Sequence, residues 1–526
     1  MIKELMLSLI PEQASDSTAI KKAIAHTLNI NEADINHYSV IRRSIDARQK
    51  VIKFQLKLTV YINEAPPADI PHHFVRRFPN VRNNPHAIVV GAGPGGLFAA
   101  LQLIERGIKP IILERGKNVR DRRRDLAVLN KQGIVNSESN YCFGEGGAGT
   151  YSDGKLYTRA DKRGNVQKVL QTLCNHGASD EILIEAHPHI GTNKLPQIIS
   201  SIREHILEDG GEVYFNSKLT DFNCIGERIK NVVVNDNYNI ETEQIILATG
   251  HSARDIFILL QQKGISIEAK PFAMGVRIEH PQYLIDKMQY KCTHERNSLL
   301  PPAAYSWVQQ VNQRGVYSFC MCPGGIIAPC ATEQNQIVTN GWSPSRRNNP
   351  FANSGIVVQI NLSDLLDNKD IAHYGALAGM YLQAQTEHNA WIAGGKTQTA
   401  PAQLLIDFIS KRVSTHLPDC SYQPGIIPAN LADILPHFIA TALRKGLNMF
   451  CRKAPLYYSP EAVLVGVESR TSSPVRIPRF KDTFQHLQIN GLFPCGEGAG
   501  YAGGILSAAI DGQLCADHCA EFMKKK

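Results

Sequence analysis

Four side chains in this sequence have the chemistry to move protons or electrons. Lys155, in the segment SDGKL, could stabilise a developing negative charge. Cys320 and Cys322 form a Cys-x-Cys pair that could be redox-active, although so short a spacing strains a disulfide. His251 follows a Thr-Gly pair and could exchange protons near neutral pH. Each also has a structural explanation: a loop-bracing lysine, two buried thiols at a strand end, or a loop histidine satisfied by its neighbours.

Weaker candidates lie in two other loops. His187 and His189 could act as acid–base groups, and Arg346 and Arg347 could clamp an anionic substrate. Lone loop histidines are more often structural, and a solvated arginine loop is an equally good explanation of the second pair. The twelve cysteines include no Cys-x-x-Cys pair and no Cys/His cluster with zinc-site spacing, so we expect no metal.

The clearest binding signal is the segment AIVVGAGPGG at 87–96. Its apolar, β-branched start predicts a buried strand, and a helix pattern follows the glycines. Gly91 permits a tight turn, Gly93 lets the backbone approach a pyrophosphate, and Gly96 lets the helix pack on the strand. The helix N-terminus offers N–H groups and a positive dipole end to phosphates. The segment therefore predicts a dinucleotide-binding strand–turn–helix.

The residues that follow make this prediction more specific. Gly107 ends the predicted helix, and a second predicted strand at 110–113 leads into Glu114. An acid at this position can accept hydrogen bonds from ribose hydroxyls. We therefore expect an unphosphorylated ribose, as in FAD or NAD, rather than NADP.

Two further glycine clusters follow along the chain. Gly144-x-Gly146-x-x-Gly149 fits the same pattern, but residues 151–158 do not have a helix pattern, so we predict a loop. The cluster at 496–504 (GEGAGYAGG) precedes a strong helix pattern. This order predicts a second helix N-terminus suited to a phosphate or to the edge of a flavin.

Composition limits the class of protein. With 526 residues, 43% hydrophobic, the chain is long enough for two to four domains of roughly 100–200 residues each. A net charge of +8 favours anionic ligands, but no dense basic stripe appears, so we expect a small-molecule substrate and no nucleic acid. The N-terminus has no signal-peptide pattern, and no run reaches the roughly 18 apolar residues of a membrane span. We expect a cytoplasmic protein and leave its oligomeric state open.

The order of predicted elements divides the chain into five segments. Residues 1–63 have the pattern of a small α+β unit, βαββ-like, and 64–85 contain five prolines and are predicted to be a linker. Residues 86–270 alternate strands and helices, which favours a parallel sheet. Residues 271–460 are more mixed and are interpreted as a substrate or cap domain, and 461–526 return to glycine-rich loop and helix.

Apolar periodicity predicts particular elements within these segments. The predicted helices cover 14–28, 97–106, 195–208 and 505–521. The predicted strands cover 5–10, 36–44, 50–62, 212–215 and 244–248, with a hairpin formed by 229–234 and 238–241.

Three segments in this order resemble the glutathione-reductase-like flavoprotein superfamily: the fingerprint ending at Glu114, Ala-Thr-Gly at 248–250, and LFPCGEGAGYAGG at 492–504. Longer motifs are similar to a bacterial family of uncharacterised FAD-dependent dehydrogenases. They are FGEGGAGTYSDGKL (143–156), FCMCPGG (319–325), NGWSPSRRNNPFANSGIVV (340–358) and ESRTSSPVRIPR (468–479). The resemblance covers roughly 36–520. It implies an α/β fold, with a Rossmann-type FAD-binding domain, an inserted substrate or cap domain and the small N-terminal α+β domain.

The resemblance also implies FAD as the cofactor and assigns its contacts. The ADP half would lie on the fingerprint, with Glu114 on the ribose. Glu497 would contact the ribityl or pyrophosphate region, where an aspartate is commoner in the superfamily. The N–H groups of Gly503, Gly504 and Ile505 would face flavin N1 or O2. The full set of predicted FAD contacts is Gly91, Gly93, Pro94, Gly95, Gly96, Glu114, Arg115, Gly146, Gly147, Ala148, Gly149, Gly250, Gly496, Glu497, Gly503, Gly504 and Ile505.

The implied activity is that of an FAD-dependent oxidoreductase, more narrowly a dehydrogenase, acting on an unidentified small molecule. Only one well-formed Rossmann fingerprint is present, and the Cys-x-x-x-x-Cys pair of the superfamily's disulfide reductases is missing from the first helix region. Either NAD(P)H docks transiently or the substrate itself donates the hydride. Two alternatives stay open: a flavin-dependent tRNA-modifying enzyme, suggested by the pI near 8.8 and the N-terminal unit, and a flavoprotein whose FAD is not enzymatic.

Overall fold

The computed structural model describes residues 1–66, 78–157 and 164–525. Part of the predicted proline-rich linker, residues 67–77, lies outside the described residues, as does Thr158. Within the described part of the chain, no helix is long and apolar enough to cross a membrane.

An antiparallel three-stranded sheet and one main helix form the N-terminal unit. In sheet order its strands are Ile2–Leu9, Lys53–Ile62 and Ile35–Asp46. The helix Ser17–Leu28 packs Ile20 and Ile24 against the apolar face of the sheet. We predicted this helix from residue 14, but it begins later because Asp16 accepts a hydrogen bond from the N–H of Thr18 and caps it. A separate turn of helix covers Pro11–Ala14, and a 3-10 turn covers Glu32–Asp34.

A five-stranded parallel sheet lies at the centre of the chain's second unit. In sheet order its strands are Leu492–Pro494, Ile245–Leu247, His86–Val90, Lys109–Leu113 and Glu212–Tyr214. Four of the strands are short apolar runs buried on both faces, as parallel strands require, and the edge strand Glu212–Tyr214 is partly exposed. The predicted α/β fold with a parallel sheet is confirmed. Because all strands run the same way, their carboxyl ends share one edge, where open α/β sheets bind ligands.

Helices cover one face of this sheet, and a three-stranded antiparallel sheet with the helix Arg254–Gln262 covers the other. Pro94–Glu105 and Ile505–Lys524 pack so closely that a Cβ on Gly512 would overlap the carbonyl oxygen of Gly95. The predicted helix at 195–208 is found at Leu195–Glu208. The remaining helices are Val119–Gln132, Val166–Asn175, Glu181–Ile184 and Arg254–Gln262, with a 3-10 turn at Gly147–Gly149. The predicted hairpin belongs to a three-stranded antiparallel sheet of Leu219–Ile225, Arg228–Val234 and Tyr238–Glu241.

A seven-stranded mixed sheet forms most of the remaining structure. In sheet order its strands are Val308–Val311, Arg314–Cys322, Phe351–Ile360, Phe272–Pro281, Val463–Glu468, Ala400–Leu404 and Ile426–Pro428. Its helices are Gln282–Tyr290, Leu362–Leu366, Ala378–Ala393, Leu405–Ser410, Leu431–Ile434 and His437–Lys453, with 3-10 turns at Ala372–Leu377 and Pro455–Tyr457. Two small antiparallel pairs join Ile326–Pro329 to Thr339–Trp342 and Glu268–Ala269 to Val475–Arg476.

The strand Val463–Glu468 lies beyond the boundary that we predicted at residue 460. It pairs with Phe272–Pro281 and Ala400–Leu404 inside the mixed sheet. Its buried apolar run resembles the strands of the parallel sheet, so local pattern could not tell which sheet it joins. The chain therefore leaves the mixed sheet after residue 468, and the division into domains stays a prediction.

Candidate active site

One cavity of about 690 Å³ connects the two larger sheets. Val90 and Leu113 line it from the carboxyl edge of the parallel sheet, and Tyr317, Phe319 and Cys320 line it from the mixed sheet. Ligand pockets typically measure roughly 300–1,000 Å³, so the space suits a large cofactor with part of a substrate.

The first glycine turn has the geometry that its sequence predicts. Gly91 has φ 100°, and a Cβ there would come within 2.5 Å of the Ala248 carbonyl oxygen. A Cβ on Gly96 would overlap the carbonyl oxygen of Gly91. Gly91 and Gly93 line the cavity, whereas Gly96 does not. Gly96 therefore serves helix–strand packing rather than direct contact with a ligand.

The second glycine cluster forms a loop, as predicted, and faces the first turn. The N–H of Gly146 donates to the Ala92 carbonyl at 2.8 Å, which ties the two segments together. Gly147 has φ 59°, and a Cβ there would lie 3.1 Å from the Cα of Gly93. Gly147, Ala148 and Gly149 line the cavity, and Gly146 lies behind them. The result is a cradle bounded mainly by backbone, which suits a pyrophosphate at a helix N-terminus.

Glu114 lines the same end of the cavity and connects three loops. Its carboxylate accepts hydrogen bonds from the N–H groups of Ala92, Gly116 and Gly144 at 2.8–2.9 Å. A carboxylate has about four acceptor sites, so one is left for a ligand hydroxyl. The ribose contact stays a prediction, and the sequence did not reveal the structural role of Glu114.

Arg115 closes this end of the cavity from one side. Its guanidinium pairs with Glu138 at 2.7 Å and Asp255 at 2.9 Å and stacks 4.2 Å from the centre of the Phe143 ring. Its charge is therefore neutralised within the protein. It offers a ligand a flat face rather than a free cation.

The third glycine cluster lines the cavity through Gly496, Glu497, Gly503, Gly504 and Ile505. The helix begins at Ile505, as predicted. One predicted contact is changed: the N–H of Gly503, which we expected to face the flavin, donates to Ser507 Oγ at 3.0 Å. The Ser507 hydroxyl, in the first turn of the helix, thus accepts the hydrogen bond that we expected the flavin to accept.

His251 and Glu497 face each other across the cavity wall, with Nε2 and Oε1 3.7 Å apart. Burial, together with the positive charges of Arg470 and Arg254, lowers the pKa of His251 to about 3. Burial raises the pKa of Glu497 to about 7, against the opposing charge of Lys270. His251 is therefore a neutral imidazole at neutral pH. Its buried Nδ1 has no hydrogen-bond partner among the described residues.

The pH dependence of stability tests the environment of His251. Because its folded-state pKa lies below the ordinary value of about 6.5, the unfolded chain takes up a proton between pH 6.5 and 3 that the folded chain does not. His251 therefore lowers stability as the pH falls through that window. We expect His251→Gln to lose thermal stability less steeply than the wild type between pH 6.5 and 4, measured by calorimetry. The exposed His26, replaced by Gln, is the control. Identical slopes for His251→Gln and wild type would contradict this account.

Lys155 also lines the cavity, in a cluster with an acid and two thiols. Its Nζ is 3.2 Å from Asp153 Oδ2, 3.8 Å from Cys320 Sγ and 3.5 Å from Cys322 Sγ. Although burial alone would raise the pKa of Asp153, Lys155 and Arg347 hold it well below its usual value. The structure thus brings three of our four catalytic candidates together. Cys322 lies behind Cys320 and does not line the cavity.

Two of the weaker candidates lie against this cluster: Arg347 bonds to Asp153, and His189 forms a backbone bridge with Lys155. His189 Nε2 bonds to the Ser345 carbonyl, and the His187 ring packs on Tyr157. Neither histidine is among the described residues that line the cavity. Arg347 donates to Asp153 at 2.9 Å, so its charge is taken up inside the protein. Arg346 is exposed, and the predicted anion clamp does not form.

The residues that position this cluster were missed by the sequence reasoning. The fully buried Arg277 pairs with Glu468 at 3.0 Å and donates to the Cys320 carbonyl at 2.6 Å. Asp153 stands in the quoted motif SDGKL, but nothing local indicates that its carboxylate faces Arg347.

A possible metal cluster among the described residues is explained by other contacts. Cys495, Asp511 and Cys515 lie close enough to share an ion. However, Arg479 donates to Asp511 at 2.6 Å and to Cys515 at 3.2 Å and supplies the positive charge that a metal would bring. We therefore assign no metal to this cluster.

Fold and cavity together define a Rossmann-type dinucleotide-binding protein. Residues 271–471 match the family model described as FAD-dependent protein, C-terminal domain-like, and residues 1–61 match a domain family of unknown function. The first match confirms FAD as the cofactor, so the protein is a flavoprotein. The chain belongs to one family with an uncharacterised protein from Clostridium beijerinckii, to which it is 40% identical over 523 residues, 96% of each chain.

More distant likenesses are partial. A thiamine thiazole synthase from Aeropyrum pernix is 28% identical over 181 residues, 32% of this chain and 54% of that protein. A geranylgeranyl bacteriochlorophyll reductase-like protein from Thermoplasma acidophilum aligns with 84% of this chain and 79% of its own, at 12% identity and a TM-score of 0.36. A flavoprotein/dehydrogenase from Cytophaga hutchinsonii has the same coverage and TM-score at 11% identity.

The residues of the cavity fit FAD. The two facing glycine loops, at Gly93 and Gly147, leave room that side chains would fill. The buried His251 Nδ1 has no hydrogen-bond partner among the described residues. Bound FAD supplies two-electron chemistry, and the protein supplies binding, orientation and electrostatics.

Proposed function

We propose that this protein is an FAD-dependent oxidoreductase, more narrowly a dehydrogenase, that moves a hydride or electrons between FAD and a small molecule. The observation that carries this proposal is the single cavity that joins the glycine cradle to the wall bearing Lys155 and Cys320. A cofactor held only for structure does not require titratable side chains such as Lys155 and Cys320 beside it. Perturbed titratable groups in a large cavity are typical of active sites.

Each end of the cavity has a separate task in this proposal. Gly91, Gly93 and the loop around Gly147 hold the dinucleotide, with Glu114 on its ribose. The helix N-terminus at Gly504 and Ile505 places positive dipole charge where a reduced flavin carries negative charge.

The mixed sheet acts as the substrate domain. The aromatic side chains of Tyr317, Phe319 and Trp342 line its part of the cavity. They exclude water and favour a small molecule with apolar or flat surface. Lys155 gives this wall a positive charge close to the reacting end of the substrate.

Anaerobic reduction of the bound flavin tests the proposal. We expect purified protein to contain FAD, and NADH, NADPH or one member of a panel of small metabolites to bleach its oxidised spectrum. Rapid mixing would show whether the flavin is reduced fast enough for the step to belong to catalytic turnover. A protein that cannot be loaded with FAD would refute the proposal, and bound FAD that no donor reduces would favour a structural cofactor.

A further inference from the structure

The strand that carries Cys320 and Cys322 is irregular where it meets the cavity. Its pairing with Phe351–Ile360 shifts register between Phe319 and Cys322, so an extra residue is accommodated there. Cys320 has φ 44°, a left-handed conformation that a non-glycine residue rarely adopts. Bulges of this kind turn side chains toward active sites, and strained residues cluster there. Here the irregularity places Cys320 on the cavity wall.

The two sulfurs share one ammonium group. Lys155 Nζ lies 3.8 Å from Cys320 Sγ and 3.5 Å from Cys322 Sγ. Cys322 Sγ also lies 3.3 Å from the Cys320 carbonyl oxygen. The second sulfur therefore folds back toward the first residue instead of pointing away from it.

The short spacing of the two cysteines lies close to the limit of disulfide geometry. In a regular strand, residues two apart are separated by about 6.6 Å, from a rise of about 3.3 Å per residue. Disulfides usually join Cα atoms about 4.4–6.8 Å apart, so a straight Cys-x-Cys strand is at the upper limit. The two side chains nevertheless converge, because both sulfurs lie within 3.8 Å of the same Lys155 Nζ.

The charges around the pair favour one thiolate and one thiol. A hydrogen bond from the Cys322 thiol, with the Lys155 ammonium, holds the pKa of Cys320 well below its ordinary range, against the effect of burial. Burial raises the pKa of Cys322 well above it. By contrast Cys330, another thiol on the cavity wall, has its pKa raised by burial and lies in a different hairpin loop.

We propose that Cys320 and Cys322 are a redox-active dithiol that exchanges two electrons with the bound FAD, with Lys155 positioned to stabilise the Cys320 thiolate. This inference rests on the proposed function. When the pair is oxidised, a bond forms between the two sulfurs and the S–H bond of Cys322 breaks. Two electrons and that proton pass to oxidised FAD, which becomes the anionic reduced flavin. The reverse step restores the thiolate–thiol pair, so atoms and charge balance in both directions.

Counting electrons in the FAD-loaded protein tests the inference. The holoprotein is oxidised with diamide, freed of excess reagent and titrated anaerobically with dithionite. We expect wild type to take up four electrons per FAD, and Cys320→Ser and Cys322→Ser to take up two each. Cys330→Ser, the matched control on the same wall, keeps four. Uptake of two electrons by the wild type would overturn the inference while leaving the proposed oxidoreductase intact, and a protein without reducible FAD would refute the proposed function first.

Mass spectrometry of the wild type gives a second measurement that does not depend on the variants folding. After diamide treatment and alkylation, the peptide with Cys320 and Cys322 should be unalkylated and lighter by two hydrogen atoms than its dithiol form. After reduction, iodoacetamide should modify Cys320 of the wild type at pH 7 at least tenfold faster than Cys320 of the Lys155→Met variant. The Lys155→Arg variant should have an intermediate rate. A peptide alkylated at both sulfurs after diamide treatment would contradict the inference.

Discussion

Alanine at Gly93 is expected to weaken FAD binding at least 100-fold, which is about 3 kcal/mol, while the protein stays folded. Gly93 has φ −75°, which alanine adopts readily, and a Cβ there would meet only Gly147 Cα, at an ordinary 3.9 Å. The protein therefore tolerates the methyl group. The ligand does not, because Gly93 lines the cradle where a pyrophosphate must approach the backbone. Titration of apoprotein with FAD, followed by flavin fluorescence, measures the change.

Gly96→Ala provides the contrasting control. Its Cβ would overlap the Gly91 carbonyl oxygen, so the strand–helix contact must open and little folded protein is expected. Circular dichroism of both apoproteins separates the two effects. If Gly93→Ala bound FAD as tightly as wild type, the cradle would not hold the pyrophosphate.

The sequence predicted the first glycine turn because its requirements are local and steric. Gly91 needs a positive φ, and Gly96 needs the absence of a Cβ, so each role follows from residue type and spacing. The helix after Gly504 was predicted from its apolar periodicity, which is also local. Short strands such as Ile245–Leu247 were also visible as isolated apolar runs. The alternation of these strands with helices then predicted the parallel sheet.

The cluster of Lys155, Cys320 and Cys322 could not be assembled from the sequence because its parts are distant along the chain. Lys155 and Cys320 are 165 residues apart, and they meet only because the mixed sheet packs over the second glycine loop. The bulge at Cys320 depends on pairing with Phe351–Ile360, which no local pattern reveals. Residue types therefore identified Lys155, Cys320 and Cys322 as candidates, while only the tertiary structure shows that they lie together.

Removing Arg277 is expected to cost the protein about 3–5 kcal/mol of unfolding free energy. Its side chain is 0% exposed, and its guanidinium bonds to both oxygens of Glu468, itself 1% exposed. Arg277→Met leaves that carboxylate buried without its partner, which is far more costly than losing an exposed ion pair. It also removes the donor to the Cys320 carbonyl, so the bulge should loosen and iodoacetamide should lose its preference for Cys320.

The double variant Arg277→Met/Glu468→Met shows whether the cost comes from the unpaired charge. Because it removes both charges, it should recover most of the stability lost by the single variant. The three tryptophans all lie in this part of the chain: Trp307 precedes the strand Val308–Val311, Trp342 ends the strand Thr339–Trp342, and Trp391 lies in the helix Ala378–Ala393. Their fluorescence therefore follows its unfolding in urea. A double variant as unstable as Arg277→Met would show that lost packing, rather than an uncompensated carboxylate, sets the cost. In that case Arg277 would support the Cys320 bulge mainly through its shape and its bond to the carbonyl.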